Sequence, residues 1–562
     1  MGEEVPPTSD LVTPGPSEPP PPEDSTRAFV RNTVVMSAGT ALSRVTGFLR
    51  LSAMAFALGI TESRLADAYN IANVTPNILY ELALGGILTS VVVPVVVEWM
   101  HTRGRDAAWE VVRRLFTLAF VVLSGIALAG IVLAPWIVGL YTTGVPEAQQ
   151  QAVGDLATFF LRWFMPQIVF YGLGAVATGL LNAHRRFGPP MFAPILNNLV
   201  VIATFFLFAF VLPEPAPGSN EVATDTQTLV LALGTTLGVA AMTVVLWPFV
   251  RATGFRFRWT AFHRDKAIRT ILRLAAWVFI YVAVNQVGYL VVMILAGERQ
   301  GGYTAYAAAF ILFQLPHAIF AVSIFTALLP AMSSRWTARD LDGFRDLLSQ
   351  GLRATAVVLI PAALGYLVLA RDIVRLLLEH GAADTPESGE LVAEVLVFFA
   401  IGLFAFSAFQ LLLRASYSMQ DTRTPALVNV AAVTLNVLVN LLFFFVFDLG
   451  VPGLALGHAT SYVFASIVLL GVVRTRIGGL DGRRILGSLG RVVVAGVGTA
   501  AAAWLVARGI ERWLGTATIG AQAVQVLTAV SVGLAVFLAS AAALRIEEVS
   551  MVRRHVAARW RG

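Results

Sequence analysis

Five ionisable residues stand inside long apolar runs of this sequence: Arg44, Arg50, Asp67, Glu81 and Arg162. A charge at the centre of a bilayer costs at least ~2.5–3.5 kcal/mol, so such residues face a polar interior, a partner or a substrate. Arg44 and Arg50 are six positions apart, about 120° around an ideal helix. They share a face only if the helix bends, and Gly47 between them permits a bend. A bent helix would aim both guanidinium groups into one water-filled cavity. The planar fork of arginine holds two oxygens at once, which suits a phosphate-bearing substrate. The competing structural reading pairs these arginines with Asp67 and Glu81 and uses them to lock helices together.

Other chemistry lacks its residues. There is no cysteine, so disulfides, thiolate metal sites and cysteine nucleophiles are excluded. No GxxxxGK[ST] phosphate loop and no HExxH is present. The histidines are scattered singly, and no Ser/His/Asp set assembles. An enzyme and a bound cofactor are therefore not expected, and transport is.

The elements that must position these charges follow from composition. Of 562 residues 57% are hydrophobic and 13% charged, against roughly 25% charged in soluble domains. An all-α polytopic membrane protein is the expectation, with about fourteen runs of ~20 apolar residues. The net charge is +6, and Lys266 is the only lysine. The arginines lie in short groups between apolar runs, which excludes a nucleic-acid face and gives the pattern of cytoplasmic loops. Alternate loops hold the bulk of them, among them Arg103 and Arg105, Arg185 and Arg186, Arg251 to Arg273, Arg414 and Arg423, and Arg474 to Arg491. The even number of spans and this bias place both termini in the cytoplasm.

Two landmarks repeat. Pro76 and Pro316 lie within the second and eighth spans, and the links ending at Pro189 and Pro425 join the fourth to the fifth and the tenth to the eleventh. Both offsets are about 240 residues, so two parallel six-helix lobes are expected, with substrate between them. The divisions read from this are a disordered Pro-rich cytoplasmic tail over 1–27 and lobes over 28–255 and 256–477. Two further helices over 478–546 and a basic cytoplasmic tail over 547–562 complete the chain.

Several stretches resemble the MurJ (MviN) family of lipid II flippases, within the multidrug/oligosaccharidyl-lipid/polysaccharide exporter superfamily. They are Ser43-Arg44-Val-Thr-Gly47-Phe48, Ala66-Asp67-Ala68-Tyr69, Pro76-Asn77, Leu181-Asn182-Ala-His-Arg-Arg186-Phe187, Phe192-Ala-Pro194 and Tyr417-Ser418-Met-Gln420-Asp421-Thr-Arg-Thr424-Pro425. The resemblance implies two six-helix lobes, a lipid-tail groove formed by the last two helices, and a place in the bacterial cytoplasmic (inner) membrane. It implies that lipid II, an undecaprenyl-pyrophosphoryl disaccharide-pentapeptide, passes from the inner to the outer leaflet by alternating access. Membrane lipids and cell-wall synthesis proteins are the further partners it suggests. By position it assigns Arg44, Arg50 and Asp67 to the substrate cavity and Arg162 to a basic position of the fourth helix. Where family members carry arginine on the second and eighth helices, this chain has Tyr80, followed by Glu81, and Ile311. Some members bind sodium, for which Asn436 and Asn440 are the candidates here, although a hard cation prefers carboxylates. Two alternatives stand beside the flippase: an exporter of another polyprenyl-linked saccharide or small molecule, and a non-transporting platform for cell-wall enzymes.

Overall fold

The computed structural model describes residues 23–82, 105–184, 186–212, 223–260 and 283–549, and these are helical with no strand among them. In chain order the first half contains α1 Glu23–Leu58, α2 Leu65–Leu82, α3 Arg105–Tyr141, α4 Glu147–Phe164, α5 Gln167–Ala183, α6 Gly188–Phe210 and α7 Asp225–Val244. The second contains α8 Ala283–Ala296, α9 Gly302–Pro316, α10 Val322–Thr337, α11 Leu341–Leu378, α12 Pro386–Ile401, α13 Leu403–Ser418, α14 Arg423–Leu441 and α15 Gly450–Arg476. The hairpin of α16 Gly482–Leu514 and α17 Ile519–Ala543 follows. Ten helical stretches among the described residues are long and apolar enough to cross a membrane, eleven with the bent pair α12–α13. α1, α2 and α8 occupy the other expected positions.

Helix starts and breaks follow local chemistry. Thr224 accepts from the Gln227 amide while the Gln227 side chain accepts from the Thr224 amide, a reciprocal cap that starts α7. Thr385, Asp481 and Thr518 cap α12, α16 and α17 in the simpler way. α4 gives way to α5 at Pro166 and α12 to α13 at Gly402, so corresponding spans of the two halves are both broken. Gly402 is also where α13 meets α15, since a Cβ there would lie 2.6 Å from the Ala459 Cα. After Pro316 the chain widens into a π turn, His317–Ala321, before α10 resumes. Proline withholds an amide from the helical ladder, and a wider turn absorbs the defect.

The halves repeat their pairings. α2 packs on α4 as α9 packs on α12, and α6 packs on α7 as α14 packs on α15. α16 and α17 pack on each other and on α11. Large apolar side chains on outward faces stay exposed, such as Leu128, Val132 and Trp136 of α3 and Leu527 and Leu534 of α17. That surface suits lipid rather than water.

Three expected boundaries shift. α1 starts at Glu23, so the division at 27 falls inside a helix, and residues 1–22 lie outside the described part. Residues 256–260 run back along α3, with Phe257 and Trp259 against Phe116 and Phe120 and the Arg113 Nε donating to the Arg256 carbonyl. The packed structure also continues past 546. Glu547 and Glu548 clamp onto Arg353 of α11, which is 4% exposed, and Glu547 also meets Arg484 of α16. Residues 550–562 lie outside the described part.

Candidate functional site

A cavity of about 690 Å³ opens between the halves. α1 contributes Arg50 to its wall, and α2 contributes Tyr69, Asn70, Asn73 and Asn77. The second half adds Asn285, Gln286 and Tyr289 of α8, Gln314 of α9, Gln410 of α13, Asn429 and Asn436 of α14, and His458 and Tyr462 of α15. Carboxamides dominate the polar wall, and each offers both donors and acceptors. Several are bonded to neighbours and hold the wall in place. Asn70 donates to the Thr304 hydroxyl at 3.2 Å, and Asn429 donates to Asn285 at 3.3 Å. Tyr69 shares a 2.9 Å hydrogen bond with Thr235 and stands edge-on to Phe160, Phe164 and Phe205.

Arg50 is the charged wall residue among those described. Such a wall suits a large neutral polar group, a sugar or peptide with hydroxyls and amides to satisfy, accompanied by a small region of negative charge. A cationic ligand would call for carboxylates, and none lines the cavity among the described residues.

At the end that carries loop 59–64 the cavity is closed by contacts between the halves. Asp67, 1% exposed, accepts from the Gly301 amide at 2.8 Å, the Thr304 amide at 3.1 Å and the Thr304 hydroxyl at 2.7 Å. These are first-turn donors of α9, which has no side-chain cap of its own. A carboxylate from the first half thus caps a helix of the second and faces the positive end of its dipole. Gly301 has φ +74, and a Cβ there would lie 2.3 Å from the Ile60 carbonyl, so only glycine fits. Arg64 completes the cluster, donating to Gln149 at 2.7 Å and to the Gly297 carbonyl at 3.0 Å, with its Nη1 3.4 Å from Asp67.

A second latch lies at the rim. Glu62 accepts from Ser388 at 2.7 Å and from Thr385, and the Thr61 amide donates to Ser388 at 3.1 Å. Burial opposes ionisation of Glu62. Hydrogen bonds from Thr385, Ser388 and the Ile60 amide outweigh it and hold the carboxyl below the usual range.

The charges read from sequence therefore separate. Arg50 lines the cavity, whereas Arg44 is exposed and off its wall. α1 runs as a helix from Glu23 through Leu58, and of its two arginines only Arg50 is on the cavity wall. Asp67 meets Arg64, Gly301 and Thr304 in place of the expected Arg44 or Arg50. Arg162 is exposed in the last turn of α4 and off the cavity wall. Tyr80 and Glu81 fall in the last turn of α2, and their side chains lie outside the described residues. Ile311 stands on the cavity wall. Asn440 is fully buried and donates to Asn436 at 3.1 Å, with its carbonyl oxygen pressed toward Gly457. Among the described residues no group of three His, Cys, Asp or Glu side chains can hold a metal.

Sequence reasoning missed three residues. Arg64 reads as a loop arginine and is 9% exposed beside Asp67. Arg414 reads as part of a loop and sits within α13, half-buried, with its guanidinium over the Phe325 ring. His458 reads as an isolated histidine and is enclosed by Phe310, Phe313, Phe399 and Phe406 at the cavity wall. An imidazole inside an apolar run was the available signal for the last.

A family model described as "Lipid II flippase MurJ" matches residues 54–540. A "Probable lipid II flippase MurJ" of Rhizobium meliloti is 27% identical over 538 residues, covering 94% of this chain and 96% of that protein. The "Lipid II flippase MurJ" of Burkholderia cenocepacia is 28% identical over 450 residues, with 79% and 84% covered. A solved structure titled "Lipid II flippase MurJ, inward closed conformation" superimposes with TM-score 0.72 at 20% identity, over 90% of this chain and 98% of that one. An inward-facing multidrug transporter of the MATE family, in the MOP superfamily, does so with TM-score 0.62 at 14% identity, over 77% and 94%.

Proposed function

This chain belongs to the lipid II flippase MurJ family, and we propose that it carries lipid II from the inner to the outer leaflet of the bacterial cytoplasmic membrane by alternating access. It is a multi-pass membrane transporter and not an enzyme. The observation that carries the reading is the cavity between the halves, with an amide-rich wall, one arginine among its described residues, and a closed end where Asp67 caps α9. The sugars and peptide of lipid II would exchange water for carboxamides inside it. The pyrophosphate would meet Arg50, and the polyprenyl chain would remain in lipid beside α16 and α17. Undoing the Asp67 and Glu62 contacts would open the closed end to the far side.

The arginine-rich loops support a cytoplasmic placement of both termini, and hence of the 419–422 end of the bundle. The 59–64 end would then face outward. The two lobes at 28–255 and 256–477 would move against each other, with Arg44 and Arg162 serving the passage outside the cavity proper and Tyr80 and Glu81 also contacting the substrate. Cell-wall synthesis proteins that consume the product are proposed as partners. Depletion of the protein, followed by measurement of lipid II exposed on the outer face of spheroplasts, tests the function. The expected result is a loss of exposed lipid II with accumulation on the inner face, and unchanged exposure would refute it. The wall has one described cation, and Tyr80 and Ile311 stand where the resemblance to the family implies arginine. These features favour a second reading, export of another polyprenyl-linked saccharide, which the same assay with other lipid-linked sugars would reveal.

A further inference from the structure

Three side chains lie one helical turn beyond the cavity wall, toward the 419–422 end. Arg44 precedes the wall residue Gly47 on α1, His317 follows Gln314 after α9, and Arg414 follows Gln410 on α13. Helical residues three or four apart share a face, so each continues a face that lines the cavity. The chain directions agree, since α1 runs toward the 59–64 end while α9 and α13 run away from it.

Contacts tie the layer together. The His317 Nδ1 and the Ser407 hydroxyl are 2.8 Å apart, and the imidazole packs edge-on against the wall residue Phe406 at 4.8 Å. The Arg414 guanidinium lies 5.1 Å from the centre of the Phe325 ring, which His317 also touches. Arg414 and Arg44 are both near enough to His317 for their charges to act on it. One guanidinium nitrogen of Arg414 is buried with no hydrogen-bond partner, and the acidic residues described form no ion pair with Arg414 or Arg44. An arginine inside the membrane normally acquires a carboxylate, a carbonyl or a ligand. Among the described residues, α1 of the first half and α13 of the second thus each carry a guanidinium group with no carboxylate partner.

We infer that Arg414, with Arg44 and His317, forms a phosphate-binding layer at the 419–422 mouth of the cavity, which takes the pyrophosphate of the polyprenyl-linked substrate before Arg50 does. This deepens the flippase reading and rests on it. Arg50 follows Arg44 by six residues on α1, about 9 Å further along the axis. The substrate phosphates thus pass from a layer built by both halves to a single arginine deeper in the cavity. The fork of Arg414 can hold two oxygens of one phosphate.

The test measures binding of three lipids to the full-length chain: lipid II, undecaprenyl pyrophosphate and uncharged undecaprenol. Arg414→Gln is expected to weaken both pyrophosphate lipids by roughly tenfold or more and to leave undecaprenol unchanged. Arg414→Lys, which keeps the charge and loses the fork, should fall between. Equal binding of both pyrophosphate lipids by Arg414→Gln and the unaltered chain overturns the layer and leaves the flippase reading intact. Binding of undecaprenyl pyrophosphate without lipid II refutes the lipid II reading, and the same variant then decides the layer on undecaprenyl pyrophosphate alone. Binding of neither by the unaltered chain overturns both. If Arg414→Gln also loses undecaprenol, its fold is damaged and Arg414→Lys decides: weakened pyrophosphate binding with undecaprenol retained supports the layer, and unweakened binding overturns it.

Discussion

Thr304 donates both its amide and its hydroxyl to Asp67, at 3.1 and 2.7 Å, across 237 positions of sequence and from one half of the molecule to the other. The first turn of α9 is thereby satisfied across the closed 59–64 end.

Asp67→Asn should loosen that closure. The amide still accepts, but hydrogen bonds to a charged acceptor contribute about 1.5–3 kcal/mol against about 0.5–1.5 for neutral ones. Access to the cavity from the 59–64 end should rise roughly tenfold. The chain has no cysteine, so a single Asn73→Cys reports on this directly. Its labelling rate by an impermeant thiol reagent is compared with and without Asp67→Asn, and equal rates would exclude Asp67 from the closure.

Arg50 and Arg64 should separate in their phenotypes. Arg64 is buried against Asp67 and two carbonyls, and breaking such a buried pair costs about 3–5 kcal/mol. Arg64→Ala should lower protein level and melting temperature. Arg50→Ala should keep both near normal and abolish flipping, while Arg50→Lys restores part of it. Parallel measurement of level, melting and lipid II flipping checks the contrast, and a destabilised Arg50→Ala would argue for a structural arginine.

Orientation has a simple readout. Asp384 is exposed beside the Glu62 latch, and residue 260 lies at the other end against Thr117 of α3. Asp384→Cys should label in intact cells with an impermeant reagent, and Thr260→Cys only after permeabilisation. The reverse pattern would invert the molecule in the membrane.

The rim latch should respond to acid alone. The Glu62 carboxyl sits below its usual range because of the hydrogen bonds it accepts. A lowered acid contributes fully above its unfolded pKa, about 4.3. The contribution is lost as pH falls through the still lower folded value. Labelling of Asn73→Cys at the closed end, read at each pH with a thiol reagent that reacts in acid, should be flat between pH 8 and about pH 5 and rise below. Glu62→Gln should remove the acid-dependent part. A transition near neutral pH would assign the gating to another group.

The clasp of the C-terminal segment should behave as a coupled pair. Arg353→Ala leaves Glu548, 7% exposed, buried without its cation, at a cost of about 3–5 kcal/mol. Adding Glu548→Ala should recover much of that. Melting temperatures of the two single variants and the double variant form the cycle, and simple additivity would show that the groups do not interact.

Much of this architecture is legible from residues alone. The apolar runs and the paired Pro76 and Pro316 landmarks foretell the membrane helices and the repeated pairings of the halves. Asp67 is legible as a charge needing an explanation, but its partners are not. Gly301 and Thr304 are distant in sequence, and backbone amides leave no mark in composition. Arg414 is hidden because α13 extends past its apolar run, and Arg64 is hidden because a loop residue carries no sequence mark of its burial beside Asp67. Asn285, Gln286 and Gln410 carry no site reading in the sequence and Asn436 only that of a sodium candidate, since sequence does not distinguish a face that meets another helix from one that lines a cavity. The spacing of Arg44 and Arg50 leaves open whether both reach the cavity, and of the two only Arg50 is on its wall.

Capping α9 from the other half also bears on the birth of the molecule. Synthesis runs from the N-terminus, and domains form in that order, so Asp67 is in the membrane 234 residues before Gly301 is made. The acceptor for the incoming amides is then already in place when α9 inserts. A chain synthesised with its halves in the opposite order would insert α9 with bare donors and would have to wait for its cap.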